Sequence, residues 1–445
     1  MQSEFDQGLL APIWVGSVAE AHTGDGAVIR AMLDAEAALA RALASTGLAP
    51  PSAAEVITRV AADLTIEPRA LALAARSGGN PVIPLVRELR AAVAAADPAA
   101  VEWVHRGTTS QDVLDTALMT VSARVLADAV LPGLAAAAEA AARLAAEHRD
   151  TVLAGRTLTQ HAVPTTFGLK CAGWLSGLLD AAERCAEVHR ALPAQLGGAA
   201  GTLAALDGPR VAVAEAFAAE CGLRARETPW HTVRTPVAEL AAALALATGA
   251  CGKAALDVTV LAQTELGEVA GDPGGESSAM PQKRNPVTAA LVVAAAREAP
   301  GALAGLHLAL LAENERPAGA WHAEWQQWRA LLRLAGGAAA ATATLLTELR
   351  PHPAAMAATV ARGEGALLAE RLAGVLRPSL GTGAAAAVRD AALAGRLPAL
   401  LAEHGVADPA GYLGAAREFV DRALARYRRH ITSHRTASGG TDHGA

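Results

Sequence analysis

The sequence predicts an all-α protein built around long apolar helices, on three observations. Hydrophobic side chains make up 52% of the 445 residues and aromatic ones only 3%, so Ala, Leu and Val must supply the core. Ala and Leu are the strongest helix formers. Apolar residues recur at helical spacing through most of the chain, with no alternating strand run, no strand–helix–strand pattern and no repeat at a solenoid period. Small Ala side chains bury little area each at ~25 cal/mol per Å². Such helices need further helices against them, and an oligomer is expected.

Residues 26–46 read as the first strong helix, with Met32, Leu33, Ala37, Leu39 and Ala40 on one face; Pro50, Pro51 and Ser52 end it and start the next. Ser77-Gly78-Gly79-Asn80-Pro81 breaks the pattern. A long helical stretch runs from about Val113 to His148, kinked or divided at Pro132. Arg156 to Pro164 reads as irregular, and Thr165 opens a helix towards Arg190. Gly197 to Thr202 reads as a turn cluster, and Pro236 opens a helix to about Val269. Helices over 287–314 and 320–349 flank a polar stretch, Glu313 to Gly319. The division expected is an N-terminal helical domain (1–104), a central long-helix bundle (105–350) holding a loop at 271–286, a small C-terminal helical domain (351–432) and a disordered tail (433–445).

The net charge of −6 argues against a nucleic-acid partner, although a basic site for an anion can sit in an acidic protein. Cys171, Cys185, Cys221 and Cys251 are widely spaced and read as small buried residues, not metal or redox centres. The N-terminal residues lack a signal pattern, and no apolar run is read as reaching the ~18 residues of a membrane span. A cytoplasmic protein with no membrane partner, no metal and no cofactor is the expectation.

Three polar segments interrupt the apolar helices. Gly107-Thr108-Thr109-Ser110-Gln111-Asp112 contains an N-cap, but its consecutive hydroxyl and amide side chains exceed what one cap needs. A helix start also binds carboxylates. Gly155 to Pro164 carries His161, whose ordinary pKa of ~6.5 suits a general acid or base. Gly274-Gly275-Glu276-Ser277-Ser278-Ala279-Met280-Pro281-Gln282-Lys283-Arg284-Asn285-Pro286 joins a Gly-rich entry to paired hydroxyls, cations and an amide. Lys283 and Asn285 suit a carboxylate whose charge builds during reaction. Lys283 and loop dipoles would lower the pKa of a Ser base.

In this order the three segments resemble the fumarase/aspartase superfamily, whose signature G-S-S-x-M-P-x-K-x-N-P the last one matches closely, and the resemblance covers roughly residues 8–430. It implies a homotetramer with a twenty-helix core and active sites shared by three subunits. It implies β-elimination or its reverse on a small polycarboxylate, through an aci-carboxylate intermediate. By motif position Ser277 is the base and His161 the general acid. Asn80, Thr109, Ser110, Gln111, Arg234, Lys283 and Asn285 are implied to hold carboxylates.

Within the superfamily the chain is most similar to the 3-carboxy-cis,cis-muconate cycloisomerases, which form a lactone in protocatechuate breakdown. Gly79–Val86, His105–Asp112, Gln160–Lys170, Gln195–Thr202 and Pro229–Thr232 carry that likeness. Leu158 stands where fumarases have His, Pro81 where adenylosuccinate lyases have a second His, and the only tyrosines are Tyr412 and Tyr427. Fumarase activity and a nucleotide substrate are therefore disfavoured. The chain departs from the cycloisomerase pattern at Glu276, Gln282, Thr235, Thr359 and Ala361. Those departures suit a relative that releases fumarate from a substituted succinate, for instance by eliminating nitrite from nitrosuccinate. Ser277, Lys283, Asn285 and His161 argue against a third reading, a non-catalytic helical scaffold.

Overall fold

The computed structural model describes residues 7–271, 280 and 283–438. Its elements follow in chain order: α1 (Val18–Thr23), α2 (Asp25–Ser45), α3 (Pro51–Asp63), α4 (Pro68–Gly78), α5 (Val82–Ala96), α6 (Ser110–Val125), α7 (Leu131–Glu147), β1 (Val152–Thr157), β2 (Gln160–Thr166), α8 (Phe167–Ala191), α9 (Arg210–Glu220), α10 (Thr235–Leu261), β3 (Val269–Ala270), α11 (Val287–Leu308), α12 (Ala320–Glu348), β4 (Arg350–Pro351), α13 (Pro353–Arg362), α14 (Ala369–Leu380), α15 (Ala384–Leu393), α16 (Leu397–Glu403) and α17 (Ala416–Ser438). The fold is all-α, as the composition predicts; the described strands form only two two-stranded ribbons.

Local chemistry sets the helix ends. Proline occupies the first turn of α3, α4, α13 and α16, where its missing N–H costs nothing. The break expected at Pro132 is a π turn over Leu126–Val130 between α6 and α7. A widened turn accommodates a proline that cannot complete the ladder.

Three expectations about element bounds change. Residues 156–164 are not irregular: they form most of the β1–β2 hairpin. The helix expected to reach Val269 ends at Leu261, and Val269 enters a ribbon with Pro351. Helix α17 continues to Ser438, past the expected start of the tail.

The chain divides into two compact units. The first is Met1–Pro132, Ala182–Gly249 and Ala294–Ala340; the second is Gly133–Ala181, Ala250–Val293 and Ala341–Ala445. In the first, α2 packs on α3, α6 and α9 through Met32, Leu33, Leu39 and Leu43. In the second, α13 packs on β1, and a C-terminal cluster joins Leu368, Leu372, Leu376, Val388, Leu397 and Leu401.

Contrary to the sequence expectation, four helical segments among the described residues are long and apolar enough to cross a membrane by length and composition: Ser110–Glu147, Thr235–Leu261, Val287–Leu308 and Ala320–Glu348. Their apolar windows are incompletely buried within the chain, 50% for α10 and 28% for α11.

Candidate active site

The first polar segment sits at the start of α6, in the first unit. Gly107 enters it at φ +74°, and a Cβ there would lie 2.3 Å from Leu206 Cδ2, so only glycine fits. Asp112 is the hub. Its Oδ2 accepts from the Thr109 N–H at 3.0 Å, the return half of a capping box, and from Thr108 Oγ1 at 3.1 Å and the Gly198 N–H at 2.8 Å. Its Oδ1 accepts from the Gly197 N–H at 2.9 Å and Gln195 Nε2 at 3.4 Å, and lies 2.7 Å from His231 Nε2. A buried carboxylate with this many donors is a framework group. Thr109 and Ser110 are half-buried at its edge.

Gln111 is fully buried. Its Nε2 donates to the His231 carbonyl at 2.8 Å and to Asp115 Oδ2 at 3.3 Å, and its Oε1 accepts from Arg316 Nε at 3.1 Å. Arg234 meets the same Asp115: its Nη1 donates to Oδ2 at 2.6 Å and its Nη2 to Oδ1 at 3.2 Å. Its Nε and Nη2 also donate to Glu324 at 2.9 and 2.5 Å, and Trp321 Nε1 donates to Asp115 at 2.9 Å. The Arg234 side chain is 1% exposed. Burial opposes its charge, but Asp115 and Glu324 hold its pKa above the ordinary value. Burial raises the Glu324 carboxyl, against the pull of Arg234. Arg234 is thus committed to internal carboxylates. Asn80 is committed too: its Oδ1 accepts from the N–H groups of Val82 and Ile83, at 3.1 and 3.4 Å, and its Nδ2 donates to the Gly78 carbonyl at 3.2 Å.

His105 leads into this segment at φ +59°, a left-handed conformation costly for a residue with a Cβ. Its Nδ1 lies 2.6 Å from Oε1 of the buried Glu36. Burial lowers the His105 pKa, yet the Glu36 and Asp112 carboxylates outweigh it and Arg90, leaving the value raised.

The second unit carries the other predicted residues. His161 is exposed on β2, directly opposite Arg156 on β1. The connecting residues Leu158 and Thr159 both have positive φ, +47° and +70°, as a two-residue type I′ hairpin requires. Arg156 makes a bidentate pair with the buried Glu268, at 2.9 and 3.0 Å. Lys283 is exposed and Asn285 half-buried just ahead of α11. Ser277, Ser278, Glu276 and Gln282 lie outside the described residues.

Sequence reasoning missed Arg316. It lies in the polar stretch between α11 and α12, read only as a helix divider. Its Nε holds Gln111, its Nη2 donates to the Ala199 carbonyl at 3.4 Å, and the residue is otherwise exposed. A lone cation between two apolar helices was the available signal.

Among the described residues, no three or more His, Cys, Asp or Glu side chains are placed to hold a metal ion. Cys171, Cys185 and Cys251 are buried and Cys221 half-buried, all as free thiols. Burial pushes the Cys221 thiol up to about 12, the Cys251 thiol to about 11, and the Cys171 thiol well above its ordinary value.

Comparison with known proteins places this geometry. A protein-family model described as a lyase matches residues 13–301. The nitrosuccinate lyase of Streptomyces davaonensis is 47% identical, with 97% of each chain covered. The 3-carboxy-cis,cis-muconate cycloisomerase of Pseudomonas aeruginosa is 42% identical, over 90% of this chain and 92% of the relative. The crystal structure of the 3-carboxy-cis,cis-muconate lactonizing enzyme from Pseudomonas putida superposes with a TM-score of 0.87 at 37% identity, covering 95% of this chain and 99% of that one.

Proposed function

The chain belongs to the lyase family that includes fumarase and aspartase, and from that membership we propose that it performs addition or elimination on a small polycarboxylate with Ser277 as base. The observation that carries the proposal is the segment Ser277–Pro286, which falls inside the family match and presents a hydroxyl, a cation and an amide in the order the chemistry needs.

In elimination, the Ser277 alkoxide takes a proton from the carbon beside a carboxylate. The electron pair moves onto that carboxylate as an aci-carboxylate, then returns to form the C=C bond as the substituent on the neighbouring carbon departs. Lys283 and Asn285 steady the added charge, while Thr109 and Ser110 offer hydroxyls beside a helix start. His161 serves as general acid towards the departing group in elimination and takes the proton back in the reverse reaction. Arg316, half-engaged by Gln111, takes the carboxylate-binding role expected of Arg234.

The first substrate is 3-carboxy-cis,cis-muconate, in line with the cycloisomerases among the relatives and solved structures. A second, nitrosuccinate, is favoured by the 47% identity to a nitrosuccinate lyase and by departures from the cycloisomerase pattern. One of these, Thr359, is buried and accepts from Arg362 Nη2 at 2.7 Å. The incompletely buried apolar windows of α10 and α11 support a homotetramer, and with it a site assembled from several subunits. A cytoplasmic location belongs to the same reading.

The test is a paired assay on the purified enzyme. Loss of the muconate diene absorbance, or release of nitrite and fumarate, identifies the substrate. The Ser277→Ala variant should keep its assembly and lose on the order of 10³-fold or more in kcat. Turnover of neither substrate, or full activity in Ser277→Ala, overturns the proposal.

A further inference from the structure

We infer that Arg156 and Glu268 form a positioning pair for His161, locking the hairpin that carries the general acid to the base of the signature segment. The inference rests on the role proposed for His161.

In the β1–β2 ribbon Arg156 and His161 are register partners. Directly opposed side chains of an antiparallel pair share a face, with Cβ atoms about 4.5–5.5 Å apart. Whatever fixes the Arg156 side chain therefore bounds the space open to the imidazole. The hairpin needs such a restraint. Its two connecting residues are a Leu and a Thr in left-handed conformations, and Leu158 is 96% exposed, so the turn has little packing of its own. The ladder also slips between Ala154 and Arg156. Gly155 lies at that slip, and a Cβ there would lie 2.5 Å from the Val163 carbonyl oxygen. A bulged ribbon with a strained turn does not aim a side chain by its backbone alone.

Glu268 provides the restraint. Its side chain is fully buried, while that of Arg156 is 17% exposed. Both carboxylate oxygens receive the guanidinium fork. A bidentate Arg–carboxylate pair fixes orientation as well as distance. The Glu268 backbone is itself held, its N–H donating to the Leu261 carbonyl and its carbonyl accepting from His352 N–H, both at 2.9 Å. Val269 and Ala270 then pair with Pro351 and Arg350, and Gly271 follows them ahead of the signature segment. Gly271 has φ +105°, and a Cβ there would lie 2.2 Å from the Glu348 carbonyl oxygen, so the anchor admits no side chain. One ion pair thus links the root of the segment bearing the proposed base to the residue opposite the proposed acid.

The test is a double-mutant cycle on the full-length enzyme with its identified substrate. His161→Gln alone should lower kcat, and an unchanged kcat there would remove the underlying role of His161. Glu268→Gln should lower kcat by about 10–100-fold, the scale of a misplaced catalytic group, with KM within about twofold of wild type. In the His161→Gln background Glu268→Gln should cost almost nothing further, because a lost aim matters only while there is an acid to aim. Arg156→Lys keeps the charge but loses the fork, and should give a smaller fall in kcat with the same dependence on His161. It also serves if Glu268→Gln fails to fold. Losses that multiply in the double variants, or a change confined to KM or Tm, would overturn the inference while leaving His161 as the acid.

Discussion

The two polar regions treat their charged groups in opposite ways. Around Asp112 and Asp115 three of the predicted ligands are turned inward: Gln111, Arg234 and Asn80 spend their polar atoms on protein partners. On the hairpin and before α11, His161 and Lys283 face outward. A residue type at a motif position therefore says little about whether its side chain meets a substrate. Counting the donors already spent decides it. The first region is a framework that presents Thr109, Ser110 and Arg316; the second carries the groups expected to move protons and charge.

The comparison can be broken most forcefully at Arg234. Removing it strands Asp115 and Glu324 as buried carboxylates, and breaking a buried pair costs about 3–5 kcal/mol. Arg234→Met should lower Tm sharply in calorimetry, or abolish assembly. A variant of near-wild-type stability with a raised KM would return Arg234 to the substrate. Arg316→Ala should do the reverse: KM rises by about 10–100-fold, the scale of one charge-assisted hydrogen bond, with Tm almost unchanged. Unchanged KM would leave the first region without a substrate cation.

The smallest effect is expected at His105, and it depends on pH. Because the folded pKa is raised, the Glu36 pair adds stability that is fully present below the unfolded value of about 6.5 and fades as pH rises through the folded value. His105→Asn should therefore lose most stability, relative to wild type, at mildly acidic pH. By alkaline pH the gap in Tm should have closed. A gap that widened towards alkaline pH would show that the imidazole is buried neutral.

The helices were legible because their signals are local: Ala and Leu at helical spacing, prolines at first turns, glycines at breaks. The hairpin was not, since Gly155-Arg156-Thr157-Leu158-Thr159-Gln160 lacks the Asn-Gly or Asp-Gly that marks a type I′ turn. Tertiary partners such as Glu268 and α13 supply what the turn residues do not. The site was legible as a set of segments and illegible as a set of roles. Arg234 reads as a free cation until Asp115 and Glu324 arrive from helices distant in sequence, and Arg316 reads as a linker residue until Gln111 is found against it. The apolar segments misled differently. Alanine raises hydropathy without adding bulk, so helices suited to close packing share the composition of membrane spans.

Burial keeps the protons of Cys171, Cys221 and Cys251 on at neutral pH, so these thiols offer almost no thiolate. In a Leu158→Cys variant the new thiol, at a position 96% exposed, would react with a maleimide dye ahead of the buried and half-buried native ones. The native chain is thus a ready background for a fluorescent reporter beside the proposed acid, one that follows substrate arrival in real time without first stripping any natural residue from the protein.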